Sequence, residues 1–178
     1  VEVVRLARDM GMPVSHVSNP QPDQRIFEGY RRIYEDLCRA RPDFEAPALQ
    51  AIFGTGTAMA RVERWAVMGA MAEMLDDGTP RVLVLEDIDQ TDRGTLEMTE
   101  YLIRHLIGRK ENRRLLFVLS RQLPEPSSRP SINPCEGLVS GESTGVPLER
   151  IVLKPLSLSA VEEMLLTVIQ GGPGVLQL

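Results

Sequence analysis

Two apolar runs without interruption are rich in β-formers: Val82-Leu-Val-Leu85, led in by Arg81, and Leu115-Leu-Phe-Val-Leu119. Short runs with no polar alternation are what strands buried on both faces of a parallel sheet require. Elsewhere the apolar residues recur at helical spacing. Val3, Val4, Leu6, Ala7 and Met10 predict a first helix, stopped by Gly11 and Pro13. Ile26, Phe27, Tyr30, Ile33, Tyr34 and Leu37 predict a second between Gln24 and Ala40, ended by Arg41-Pro42. A third spans 58–75 on Val62, Trp65, Ala66, Met68, Met71, Ala72 and Leu75, with its methionines as core-filling residues. A fourth opens at Asp92 and carries Leu96, Met98, Leu102, Ile103, Leu106 and Ile107 before Gly108.

Three shorter signals complete the pattern. Pro13 to Ser18 alternates and runs into Asn19-Pro20, a strand followed by a turn. Ile151-Val-Leu153 predicts another short strand. Residues 157–169 predict a last helix capped by Ser157 or Ser159, with Glu162 completing an S-x-x-E spacing. Strands that alternate with helices, and are apolar throughout, predict an α/β three-layer sandwich on a mostly parallel sheet. Residues 122–149, rich in Pro, Ser and Gly, predict a long polar loop, a flexible insertion. The expected division is a core over 1–154 and the start of a helical lid over 155–178.

Composition narrows the function classes. The formal charge of −5 disfavours a segment that coats nucleic acid, which needs a basic face. No run approaches the ~20 apolar residues of a membrane span, and the first residues have no signal-peptide layout; a cytoplasmic protein is expected. Cys38 and Cys135 are too few for a disulfide framework and read as unrelated thiols, Cys38 in a helix and Cys135 in the polar loop. His16 reads as a tolerated strand residue, since no second ligand is near in sequence. Lysine is confined to Lys110 and Lys154. The glycines of Phe53-Gly-Thr-Gly-Thr57, in a stretch from Phe44 that reads as a loop or broken helix, therefore form a turn and not a phosphate loop. That loop needs G-x-x-x-x-G-K-[ST], whose amides and lysine surround the phosphates.

In parallel sheets ligands sit at the carboxyl ends of the strands. The run Arg81 to Leu85 ends in Glu86-Asp87, then Ile88-Asp-Gln-Thr-Asp92. Carboxylates there suit a hard cation that bridges nucleotide phosphates, or the polarisation of a water. The alternative is that the acids open the next helix as caps, a role that suits Asp92 better than Glu86. The next strand ends in Ser120-Arg121, where a cation would face a γ-phosphate; a solvated loop arginine is the plainer reading.

Taken together, these segments resemble the signal-transduction ATPases with numerous domains, the AAA-like P-loop group that includes large LuxR-type regulators and predicted ATPases attached to bacterial kinases and cyclases. Their Walker B segment typically reads LVLEDLHWAD before a leucine-rich helix. This chain has Leu83-Val-Leu-Glu-Asp-Ile-Asp-Gln-Thr-Asp92, then Leu96, Leu102 and Leu106. Their next strand ends in a small polar residue near an arginine, matched by Ser120-Arg121. Their I-x-L-x-P-L-S segment before the lid helix is matched by Ile151-Val-Leu-Lys-Pro-Leu-Ser157.

The resemblance implies a P-loop NTPase fold of the ASCE type, incomplete at its N-terminus. It implies a regulatory ATPase that binds ATP and Mg²⁺ and switches other domains of a parent protein, with self-association among its contacts. Glu86 would help hold Mg²⁺, Asp87 would orient or activate water, and Ser120 and Arg121 would contact the γ-phosphate. Two departures stand out. Asp89-Gln90 replaces the usual His-Trp, and no Walker A motif is present, so a fragment of a longer chain, inactive alone, is expected. The rival from another class is a non-catalytic P-loop-like scaffold that binds partners without turnover. A direct DNA-binding role is disfavoured by the acidic balance.

Overall fold

A computed structural model of the chain describes residues 2–18, 26–54, 63–107, 114–122, 135–141, 144–146 and 148–170. Three strands, β1 (Val14–Ser18), β2 (Arg81–Glu86) and β3 (Leu115–Leu119), form one parallel sheet in the order β1-β2-β3. The register pairs Val14 with Val82 and Ser18 with Glu86, and Arg81 with Leu115 and Leu85 with Leu119. Arg81 to Leu85 are all buried, as an uninterrupted apolar strand between two neighbours should be.

Alternation along β2 divides the interior. Val82 and Val84 pack with Val4 and Ala7 of α1 (Glu2–Asp9), joined by Met12, Val14 and Val118. Leu83 and Leu85 face the larger core. That core gathers Tyr30, Ile33 and Leu37 of α2 (Glu28–Ala40), Leu49 and Phe53 of α3 (Pro47–Phe53), Val67 and Met71 of α4 (Arg64–Leu75), and Leu96, Met98 and Leu102 of α5 (Arg93–Leu102). The sheet therefore carries α1 on one face and α2 to α5 on the other, the mixed α/β layering expected from the pattern. Within the larger core the Tyr30 hydroxyl lies 2.9 Å from Thr99 Oγ1, which satisfies a polar tip that burial would otherwise penalise.

Several expectations need correcting. The stretch after Phe44 contains a true helix, α3, with Pro47 at its first position, where a missing N–H costs nothing. The glycine-rich residues 55–57 lie outside the described residues, as does Gly108. Trp65, counted on the apolar face of α4, is 68% exposed. The helix begins only at Arg64, and its inward stripe is Val67, Met71, Met74 and Leu75. Beyond α5 the backbone continues as a π turn, Ile103–Ile107, with Ile103 and Leu106 still buried.

Residues 122–149 are not uniformly a loop. Glu136–Ser140 is a short helix, α6, and Cys135 and Leu138 belong to the main core; residues 123–134 lie outside the described ones. Two apolar side chains among many polar neighbours were too sparse to register as a helix. Ile151 to Leu153 form no strand. The chain divides into two compact units, Val1–Leu148 and Glu149–Leu178, and these residues belong to the second. That unit holds α7 (Leu158–Gln170), whose first turn is capped by Ser157: its Oγ accepts from the Ala160 amide at 3.2 Å.

Asp92 is a cap with an added duty. One carboxylate oxygen accepts from the Thr95 amide at 2.9 Å and from the Phe27 amide at 3.0 Å, and the other from the Thr95 hydroxyl at 2.5 Å. It thus starts α5 and ties it to the residue before α2, where Phe27 holds a positive φ of 65°. Asp92→Ala is expected to destabilise by about 2 kcal/mol, the upper end for a cap, because the Phe27 amide also loses its acceptor. Urea unfolding measures it; a cost below about 0.5 kcal/mol would mean that water replaces the carboxylate.

Candidate functional site

The carboxyl edge of the sheet is built by two strand ends and one residue clamp. Glu86 closes β2 and Asp87 follows in a left-handed conformation, φ 51° and ψ 48°. A non-glycine residue there is uncommon, and Asp is among the types that tolerate it. The chain then turns through a short 3₁₀ segment, Ile88–Gln90, into the Asp92 cap. Ser120, the first residue past β3, holds this turn in place. Its amide donates to the Leu85 carbonyl at 3.0 Å, its hydroxyl accepts from the Asp87 amide at 3.2 Å, and its carbonyl accepts from the Ile88 amide at 3.0 Å. The two acids are therefore held by backbone and by one serine, not by the helix that follows.

Glu86 lies on the α1 face of the sheet, and so does His16 of β1 two residues back in register. His16 Nε2 stands 3.1 Å from a Glu86 carboxylate oxygen, with about a third and a quarter of the two side chains exposed. The imidazole nitrogen is buried and not aligned for a hydrogen bond, so the pair is a close approach and not a formed bond. Sequence reading missed this neighbour because 70 positions separate the two residues and only the parallel register joins them. An alternating strand with a polar residue near its carboxyl end was the available signal.

Arg121, next to Ser120 past the end of β3, already has an acidic partner. Its guanidinium, 12% exposed, binds a Glu136 oxygen at 2.7 Å, and that bond holds it above the usual arginine range. Glu136 opens α6, so the loop read as an insertion supplies the partner. Asp89 faces the same region: its carboxylate accepts from the Gln122 amide at 3.3 Å. Cys135 is fully buried beside these groups; burial pushes its thiol up against the pull of Arg121. Glu86, Asp87 and Ser120 thus share one edge, while Arg121 is held by α6.

Chemically, the edge offers hard carboxylate oxygens, one serine hydroxyl with its proton still free to donate, and an imidazole beside the strand carboxylate. Among the described residues no group of three or more His, Cys, Asp or Glu could enclose a metal ion. A cation here would need oxygens from its own ligand or from water, the habit of magnesium with nucleotides. Among the described residues no helix is long and apolar enough to cross a membrane. No family model, no curated protein and no solved structure matches the chain.

Proposed function

We propose that this chain is the core of a nucleotide-dependent regulatory module, an ATPase switch within a larger protein. The observation that carries the reading is the acidic pair at the carboxyl end of the central strand, held by the serine that ends the neighbouring strand. Glu86 would contribute a carboxylate to the magnesium of Mg-ATP, and Asp87 would orient the attacking water. Ser120, already fixed on the Asp87 turn, would donate its hydroxyl toward a terminal phosphate. Bound Mg-ATP supplies the phosphoanhydride and the charge that neutralises it.

Handedness supports the same reading. The connections β1 to β2 and β2 to β3 place their helices on one face and step across the sheet in one direction. Helix α1 lies on the opposite face. A strand delivered into α1 by a right-handed crossover must then enter beyond β3, at the edge that has no strand neighbour among the described residues. Its carboxyl end, where a phosphate loop would sit, would stand next to Ser120 and one strand away from Glu86. Leu116, 54% exposed on the α1 face of β3, is the side chain such a strand and its helix would help cover.

The 178 residues contain no G-x-x-x-x-G-K-[ST], so they lack the amide cradle and lysine that supply much of the phosphate contact. Calorimetric titration of this chain with Mg-ATP should give binding weaker than micromolar. Micromolar affinity from these residues alone would show that the phosphates are held elsewhere. In a protein where a phosphate-loop strand precedes α1, micromolar binding is expected, and its failure would sink the ATPase reading. A non-catalytic scaffold is favoured by one observation, the closed Arg121–Glu136 pair, which occupies the cation expected at the γ-phosphate.

A further inference from the structure

At the opposite, amino-terminal edge of the sheet lies an open cleft with a volume of about 490 Å³. Arg8 reaches it from the last turn of α1, and Asp36 and Arg41 from the end of α2. Ser15 of β1 and Arg81 of β2 line the strand side, with Asp77 from the turn before β2. Arg81 and Glu86 are the two ends of one strand, so this cleft is distinct from the acidic edge.

Its polar groups are unevenly satisfied. The acceptors are engaged. One Asp77 oxygen accepts from the Thr79 amide at 2.9 Å, the other from Arg81 at 3.1 Å while standing 4.0 Å from Arg41. Asp36 is bonded to Arg39. The donors are in excess. A guanidinium has five N–H groups, and Arg81, 6% exposed, keeps a buried Nε with no partner. Arg41 uses one Nη on the Met74 carbonyl at 3.0 Å. Arg8 has no ion pair among the described residues, and the Ser15 hydroxyl, on a residue 3% exposed, has no side-chain partner among them. Arg81 Nε is a buried donor without an acceptor, which is costly, so a ligand that brings an acceptor is its complement.

Charge selects among such ligands. Three arginines line the cleft against two aspartates, and one of these, Asp36, is already paired with Arg39 outside the lining. Helices α1 and α2 finish at this edge, and α4 ends at Leu75 just before Asp77; their carbonyl ends carry partial negative charge. One negative charge is accommodated there, whereas a dianion is opposed. We propose that this cleft binds a small aliphatic monocarboxylate. Arg81 and Arg8 would take the carboxylate in the forked geometry guanidinium favours, with the Ser15 hydroxyl as a further donor. Val14 and Ala40 would meet the hydrocarbon part.

An amide-shift titration of the whole chain by ¹⁵N-resolved NMR tests this, with sodium butyrate as the probe and n-butanol, sodium chloride and inorganic phosphate as comparators. Saturable shifts at Ser15, Thr79 and Arg81 are expected with butyrate and not with butanol or chloride. Arg8→Gln, an exposed change on α1, should weaken butyrate about tenfold, as loss of one charge-assisted hydrogen bond does. Ser15→Ala should weaken it less. Equal shifts with sodium chloride, no saturable shift at this edge, or unchanged affinity in both variants would each overturn the proposal. Phosphate binding more tightly than butyrate would overturn the assignment to a monocarboxylate. The probe is no nucleotide and the site is remote from Glu86, so the result stands apart from the ATPase reading.

Discussion

Asp87→Asn, in a protein where a phosphate-binding loop completes this sheet, is expected to slow ATP hydrolysis by roughly 10²–10⁴-fold while leaving ATP bound, the loss a positioned general base entails. The backbone makes the substitution clean. Asp87 sits at φ 51°, a left-handed conformation that Asn occupies as readily as Asp. Its amide bond to Ser120 Oγ involves no side-chain atom of residue 87 and survives the change. Only the charge is removed. Asp87→Gly serves as a control, since glycine keeps the turn without a carboxylate and should be as slow as Asn. Asp87→Val would confound the measurement, because a β-branched residue is strained at that φ.

Glu86→Gln should behave differently, and the contrast separates the two acids. Glu86 is still part of β2, its direction is set by the strand pleat, and its neighbour is His16 at 3.1 Å. Replacing it should weaken the magnesium dependence of binding. Single-turnover assays over a magnesium series, with binding followed separately, resolve the roles. Parental turnover in Asp87→Asn together with slow turnover in Glu86→Gln would move the base assignment to Glu86. Parental binding and turnover in both would reduce the pair to a structural turn.

How much of this was legible in the sequence differs by element. β2 and β3 were readable to within a residue because both are uninterrupted apolar runs, the pattern a strand buried on both faces needs; β2 is buried so, while β3 is only partly buried. Glu86, Asp87 and Ser120 were readable as strand-end residues for the same reason. What the pattern could not supply was pairing. His16 meets Glu86, and Arg121 meets Glu136, through register and through a helix of five residues, and neither relation leaves a local trace. The left-handed turn at Asp87 ends the strand geometry, so its projection follows the turn and not the pleat. The stretch Ile151 to Leu153 read as a short apolar strand, and such a run forms no ladder without a neighbour to pair.

The largest stability effect should come from Leu85→Ala. Leu85 is fully buried on the central strand, its register partners are Val17 and Leu119, and its carbonyl anchors Ser120. Neighbours fixed by ladder bonds on both sides cannot close over the space a truncated side chain leaves, so a cost of about 2–5 kcal/mol is expected. Leu116, on the other face of β3 and 54% exposed, has much less to lose, about 1 kcal/mol or below. Urea unfolding of both variants, with the slope checked for constancy, gives the comparison directly. If Leu116→Ala costs as much as Leu85→Ala in this chain, the outer face of β3 is already covered and no further strand belongs beside it. If it is cheap here but rises toward the core value when a strand precedes α1, that strand has joined the edge the crossover rule assigns to it.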